Sequence, residues 1–243
     1  MCAKKIGVLT LVTIMSMSIL LPLVTNVMAA EVITANTTEV VAGVNTQEVA
    51  KLKENVKTLQ ERVAMLQADV NIKIKDKERK QNTYNELKYL LTKGSSYFMS
   101  MDLRIPTNLD AEQINQMLEG TGLVGLGDDF VRAEKEYGIN ALVYMALSGH
   151  ESTWGNSPLA KSKNNIISYA AYDNNVEAAR NFTTKGECLI EGAKLLNKDY
   201  LNPQGEHFGG GYTLLDVNKK YASDTEWSKG IALSVMDLIR KLK

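Results

Sequence analysis

The sequence predicts a mainly helical α+β domain with a small β-hairpin lobe, preceded by a coiled-coil-like helical stalk. Three features carry this expectation. Between Val49 and Val70 the apolar residues recur in steps of three and four across three heptads. Between Ala141 and Leu147 they fill nearly every side of a helix, as they do in a segment buried at a domain's centre. Finally, two apolar arms, Ile166 to Tyr172 and Val176 to Phe182, flank the turn-forming triplet Asp173-Asn174-Asn175.

In chain order, residues 1–30 open on Lys4 and Lys5, continue through an apolar stretch from Ile6 to Val24 and close on Val27-Met28-Ala29-Ala30. That order is a secretory signal cleaved after Ala29 or Ala30. An uncleaved membrane anchor is the alternative, weakened by Thr10, Thr13, Ser16, Ser18 and Pro22. Either leader puts the remainder outside the membrane, as a secreted chain that meets a membrane only if the leader stays on. Cys2 precedes the apolar stretch instead of closing it, so no lipid-attachment box is present. Residues 31–45, rich in Thr, Val and Ala without helical period, read as a flexible spacer.

The 28 basic and 28 acidic residues balance, and without Lys4 and Lys5 the basic count falls to 26. No strong basic field remains to drive nucleic-acid binding. With the leader gone Cys188 is alone, which excludes an internal disulfide. His150 and His207 are the two histidines, too few for a multi-histidine metal centre, so neither metal nor cofactor is implied.

Residues 46–93 form the helical heptad segment. Val49, Val56, Val63 and Val70 occupy every a position and Leu52, Leu59 and Leu66 every d position, the choice that favours two parallel strands. One reading is a homodimer through residues 49–70, with Glu48 and Lys53 as the clear attractive pair between chains. The other is a hairpin in which the helix folds back on Tyr84, Leu87, Leu90 and Leu91. Lys73 to Lys80 carries five positive and two negative charges, either as a solvated helix face or as a contact with an anionic cell surface. Gly94-Ser95-Ser96, with Pro106 soon after, marks residues 94–104 as a linker.

The domain then occupies residues 105–243. Asp110 caps a helix through Leu118, glycines at 120, 122, 125 and 127 make a loop, and Asp128 starts a helix ending near Tyr137-Gly138. Asn140 caps the apolar helix. The second arm of the hairpin, with Glu177-Ala178-Ala179, fits a helix as well as a strand. Lys185 to Tyr200 is amphipathic helix, Asn202 to Gly211 a loop, and Ser223-Asp224-Thr225-Glu226 a capping box that opens the last helix through Leu242.

Directly after the apolar helix stands Ser148-Gly149-His150-Glu151-Ser152-Thr153-Trp154-Gly155. A carboxyl at the mouth of an apolar helix, beside an indole, loses hydration. Desolvation disfavours its ionised form, so it keeps its proton near neutral pH, as a general acid for a glycosidic oxygen must. Gly149 and Gly155 permit close backbone approach on both sides. Other constellations fail. His150-Glu151 lacks the second histidine of a zinc peptidase, since Trp154 stands there. Cys188 falls inside an amphipathic helix, which suits packing better than a nucleophile paired with His207. Gly209-Gly210-Gly211 has no following Lys-Ser/Thr and is no phosphate loop. His150 points about 100° away from Glu151 on a helix and reads as structural.

The run from Gly149 to Gly155, followed by Ser157-Pro158-Leu159-Ala160, Lys163-Asn164-Asn165-Ile166 and Ala171-Tyr172-Asp173, resembles the glucosaminidase domains of glycoside hydrolase family 73. Asp199-Tyr200-Leu201-Asn202-Pro203 and Tyr221-Ala222-Ser223-Asp224, with Trp227 just beyond, continue the likeness in order. The resemblance implies a lysozyme-like α+β fold with a long groove and cleavage of the β-1,4 bond after N-acetylglucosamine in peptidoglycan glycan strands. It makes Glu151 the general acid and Tyr221 a groove residue that holds the sugar or the incoming water; a core aromatic is the bland alternative for Tyr221. Asp224 is assigned to the capping box. The second carboxylate is Asp173 or Glu177, unless the substrate's own 2-acetamido oxygen attacks. Trp154, Tyr169, Tyr172 and Tyr212 either stack on sugar rings or pack in the core, and Asn164 and Asn165 either bind N-acetyl groups or shape a turn. Two other functions stay open at this stage: a muramidase or lytic transglycosylase using the same groove, and a non-catalytic wall-binding scaffold.

Overall fold

The computed structural model describes residues 46–169 and 179–242. The expected leader and spacer therefore lie outside the described residues, as do Tyr172, Asp173, Glu177 and the hairpin turn. The chain divides into two units, one ending at Asn71 and one spanning Ile72–Lys243.

The first helix, α1, is Thr46–Leu91. In the first unit its heptad residues from Leu52 to Val70 stand exposed. In the second unit its C-terminal turns dock on the domain: Leu87 is buried, and Tyr84, Leu90 and Leu91 pack against the core. These are the residues onto which a fold-back was one expectation; they serve the domain instead. Burial of such a leucine stabilises by about 1.5–3 kcal/mol.

The stretch from Lys73 to Lys80 is mostly exposed, as a solvated face is, and its last two cations, Arg79 and Lys80, make ion pairs. Arg79 pairs with Asp76 and Asp110, at 2.8 and 2.9 Å, and donates to the Asn108 carbonyl. Lys80 bridges to Glu112 at 2.7 Å. Exposed pairs of this kind contribute about 0–1 kcal/mol each, so they orient α1 more than they hold it.

The expected linker at 94–104 contains a second helix, α2, Ser95–Ser100, whose Phe98 is fully buried. The Gly/Ser signal marks a turn between two packed helices, and Phe98 with Leu103 supplies the apolar anchor that a linker lacks. Next comes α3, Ala111–Met117, capped by Asp110 in a reciprocal box with Gln113. α4, Gly127–Tyr137, ends on left-handed Gly138. Buried α5, Ala141–Ser152, packs against α9 and α4. α6, Pro158–Ser162, and α7, Lys185–Leu195, follow, and Leu196–Tyr200 widens α7 into a π-helical turn. α8, Leu214–Tyr221, and α9, Trp227–Lys241, complete the domain.

α5 runs on through His150 and Glu151 to Ser152, so the acidic residue sits in the helix's last turn, at the mouth of the apolar run. One expectation changes: α9 begins at Trp227 with no Ser223 cap, since Ser223 is exposed while the Asp224 carboxylate accepts from the Glu226 N–H. An aspartate closing a turn on the backbone two residues on competes with a serine cap and here replaces it. Helix α8 had a legible start that the sequence reading passed over, the Thr213-to-Asp216 capping box.

No strand forms among the described residues. The described ends of the two hairpin arms are joined by one backbone bond, Arg180 N–H to the Tyr169 carbonyl. Among the described residues no helix is long and apolar enough to cross a membrane.

Truncating Phe98→Ala is expected to cost the domain about 3–5 kcal/mol in urea unfolding; a loss under 1 kcal/mol would return the 94–104 segment to a linker.

Candidate active site

Asn140 opens α5 by accepting the Val143 N–H on its side chain, and ten of the twelve residues of the helix are buried. At its far end the helix has to leave the core, and it does so through three successive left-handed residues: Thr153, Trp154 and Gly155, at φ 51°, 54° and 77°. This reversal lays the Trp154 indole flat on Gly149, where an added Cβ would lie 2.5 Å from the ring. Gly155 in turn touches Gly122 backbone to backbone, with the Gly122 N–H donating to the Trp154 carbonyl at 2.8 Å. The Lys185 ammonium ties the loop down by donating to the carbonyls of Gly122 and Gly155. The last turn carrying Glu151 is thereby braced on its C-terminal side.

Glu151 is part-buried, and its Oε1 accepts from the Trp227 indole N–H at 3.4 Å. Ser168, itself left-handed at φ 54°, donates its hydroxyl to the Glu151 main-chain carbonyl at 3.2 Å. Burial raises the carboxyl's pKa above its ordinary value; the Trp227 N–H, neighbouring His150 and the Ser168 hydroxyl oppose the shift without cancelling it. The result is a carboxyl biased toward its protonated form and still in reach of solvent.

Trp227 is positioned by a buried amide. Asn218 donates to the carbonyls of Ala222 and Asp224 and accepts the Ser228 N–H, which fixes the turn between α8 and α9. Tyr221, at the end of α8, stacks on Trp227 with centroids 4.8 Å apart. Tyr200 meets Tyr221 at 5.3 Å and His207 meets Tyr200 at 5.2 Å. Burial first, then the nearby Glu151 carboxyl, pushes the Tyr221 hydroxyl well above its usual range, and burial raises Tyr200 as well. Both phenols hold their protons as hydrogen-bond donors. Together, Trp227, Tyr221, Tyr200 and His207 form an aromatic file leading away from Glu151. Tyr200 is aimed into this file from the π-helical turn, where one extra residue per turn rotates the side chain.

The other expected site residues divide. Trp154 packs on Gly149, with the Lys241 ammonium 6.0 Å from its ring centroid. Both asparagines shape turns: Asn164 donates to the carbonyls of Phe182 and Thr183, and buried Asn165 donates to those of Tyr169 and Arg180 while accepting the Tyr169 N–H. Their amide groups are thus engaged in tying residues 164–169 to residues 180–183. Tyr169 meets Phe182 edge-on. Tyr212 is not brought to Glu151. Its carbonyl accepts from Leu103, whose own carbonyl accepts from Asn140, which places it at the opposite end of α5, roughly 16 Å along the axis. Its ring lies 3.3 Å beneath the Arg104 guanidinium. Tyr172, Asp173 and Glu177 lie outside the described residues.

The sequence alone points to no role for Ser168 or Asn218, and it presents Tyr200 and Trp227 only as parts of motifs. Cys188 is buried, and burial pushes its thiol up to about 11, unsuited to a nucleophile at neutral pH. No group of three or more His, Cys, Asp or Glu among the described residues gathers as a metal would need. A groove of about 1120 Å³ between residues 77–84 of α1 and α3 includes none of the residues around Glu151.

Residues 127–241 match the family model of glucosaminidases, described as mannosyl-glycoprotein endo-beta-N-acetylglucosaminidase. The chain is 33% identical over 151 residues to a provisionally assigned endo-beta-N-acetylglucosaminidase of Streptococcus pneumoniae serotype 4, covering 60% of this chain and 23% of that protein. A counterpart in a second strain of that species matches at 33% over 60% of this chain and 21% of its own length. The chain thus spans under a quarter of the curated relatives it matches. Among solved structures, S. aureus autolysin E superposes with a TM-score of 0.50 at 24% identity, covering 65% of this chain and 77% of that one. A catalytic mutant of autolysin E in complex with the disaccharide NAG-NAM gives 0.50 at 23% identity, over 59% and 72%. At these identities the likeness is one of fold.

Because the Trp154 ring fills the space above Gly149, Gly149→Ala is expected to destabilise the domain by about 1–3 kcal/mol. Thermal melting followed by tryptophan fluorescence reads this, and an unchanged midpoint would mean the indole has room to move.

Proposed function

We propose that this chain, whose residues 127–241 belong to the glucosaminidase family, is a secreted peptidoglycan hydrolase of the endo-β-N-acetylglucosaminidase type. It cuts the β-1,4 bond after N-acetylglucosamine, with Glu151 as general acid. The observation that carries the reading is a carboxyl at the open end of a buried helix, with its pKa raised by burial and an aromatic file beside it. The disaccharide held by the autolysin E mutant fits a glycan strand as the substrate class.

The chemistry follows from the protonation state. Glu151 transfers its proton to the glycosidic oxygen as the C–O bond breaks, which neutralises the leaving alkoxide and leaves the anomeric carbon electron-poor. Water, or first the substrate's 2-acetamido oxygen and then water, attacks that carbon, and the water's proton passes to the Glu151 carboxylate or to a second carboxylate. Asp173 and Glu177 are the carboxylates that would steer the water or steady the acetamido group. Tyr221, a neutral phenol beside Trp227, is suited to donate to the sugar, and the faces of Tyr200 and Tyr221 offer apolar contact to sugar rings. Because donation needs the acid form, activity declines on the alkaline side as Glu151 ionises.

Two experiments test this. Purified sacculi digested with the enzyme are expected to yield fragments with N-acetylglucosamine at the new reducing end, read by mass spectrometry, and Glu151→Gln to lower the rate at least a hundredfold. Fragments ending in N-acetylmuramic acid or an anhydro sugar would make it a muramidase or lytic transglycosylase. Sacculus binding without release would leave a wall-binding scaffold. The same variant has a stability signature. A carboxyl whose pKa is raised on folding contributes stability below its unfolded pKa and loses it as pH rises through the folded value. Glu151→Gln is therefore expected to melt at or above the wild-type temperature, with the gap opening from acid to neutral pH.

Trp227→Phe removes an N–H that favours the ionised carboxyl. The alkaline limb of kcat/KM is expected to move upward by up to about one pH unit; a downward move would show that the indole acts on Glu151 in some other way.

A further inference from the structure

The exposed stripe of α1 plays no part in that chemistry. Leu52, Leu59 and Leu66, its d residues, are 58, 58 and 64% exposed, and Val56, Val63 and Val70 at the a positions are exposed too. Off the stripe the helix carries Lys51, Lys57, Glu54 and Glu61, with Met65, 72% exposed, the large apolar residue that lies outside the seam between residues 49 and 70. Apart from Met65 the large apolar residues of this stretch keep to the a and d positions, a seam suited to one facing helix.

We propose that residues 49–70 form a parallel two-stranded coiled coil with a second copy of this chain. Two independent features select that partner and that direction. β-branched valine at every a position with leucine at every d position packs knobs into holes best in a parallel pair, and no buried polar residue interrupts the three heptads. The flanking charges agree. In parallel register, Glu48 at g faces Lys53 at e of the partner subunit on both sides of the seam, while Asn55 faces Gln60 and Arg62 faces Gln67. No like charges meet. An antiparallel pair on the same seam, with Val56 layered on Leu59, would set Glu48 against Asp69 at each end and leave Lys53 opposite Gln60. A self-complementary seam fits an identical helix, which is what a two-fold axis supplies.

The inference stands apart from the hydrolase reading. Sedimentation equilibrium of the full chain is expected to show a mass moving from one chain to two between roughly 1 and 100 µM. Leu59→Lys, at the central d position, is expected to stay at one chain throughout, while the domain melts as in wild type and sacculus cleavage per chain is unchanged. Lys53→Glu weakens the dimer, and adding Glu48→Lys to it restores the mass. Val56→Cys, an a position, is expected to give a disulfide-linked dimer on mild oxidation, because only the parallel arrangement brings the two thiols together. A single-chain mass at every concentration, a dimer indifferent to Leu59→Lys, or no linkage through residue 56 would each overturn the proposal.

Discussion

Everything near Glu151 depends on the burial of α5. A helix with no polar face has to be enclosed, and α4, α9 and the segments packed around them enclose it. Its only route out of the core is through an end. The C-terminal end is where backbone carbonyls lose their helical partners, and there the chain reverses on Thr153, Trp154 and Gly155. A carboxyl one residue before the end is caught between an apolar interior and solvent. That position raises its proton affinity and leaves it reachable, so its chemistry is a by-product of how the core closes.

The second constraint is aromatic. Tyr221 and Trp227 come from neighbouring helices, α8 and α9, and stack because buried Asn218 holds the connecting turn by three hydrogen bonds. Trp227 thus joins the acid's ionisation to the shape of the adjoining surface: one face meets Tyr221 while its N–H meets Glu151. A polar residue that looks like a packing defect, Asn218, is what sets this geometry.

The half-buried carboxyl of Glu151 and its helix were legible in the sequence because both depend on local pattern. An all-apolar run with an Asn cap and flanking glycines means the same thing in any context, and the spaced motifs around it carry the resemblance to glucosaminidase domains that the family match over residues 127–241 supports. What escaped was set by tertiary contact. Asn164 and Asn165 carry the composition of a polar binding surface, yet their amides bind main-chain carbonyls from residues 169–183. Tyr212 was grouped with Glu151 on composition, although backbone bonds carry it to the other end of α5. Tyr200 looked like one more face of an amphipathic helix; a single wide turn, which no residue type announces, redirects it. Phe98 was hidden by its Gly/Ser neighbours, whose flexibility says nothing about a buried ring three residues later.

The reversal after α5 also bears on engineering for heat tolerance. Thr153 is a β-branched residue in a left-handed conformation that glycine or asparagine adopts at far less cost, and its side chain is exposed. On the order of 1 kcal/mol is therefore held in reserve two positions from the acid. Anyone seeking a hardier form of this domain has an opening at this bend, outside the packed interior, though the residues that hold the Glu151 carboxyl in place lie close enough to feel the change.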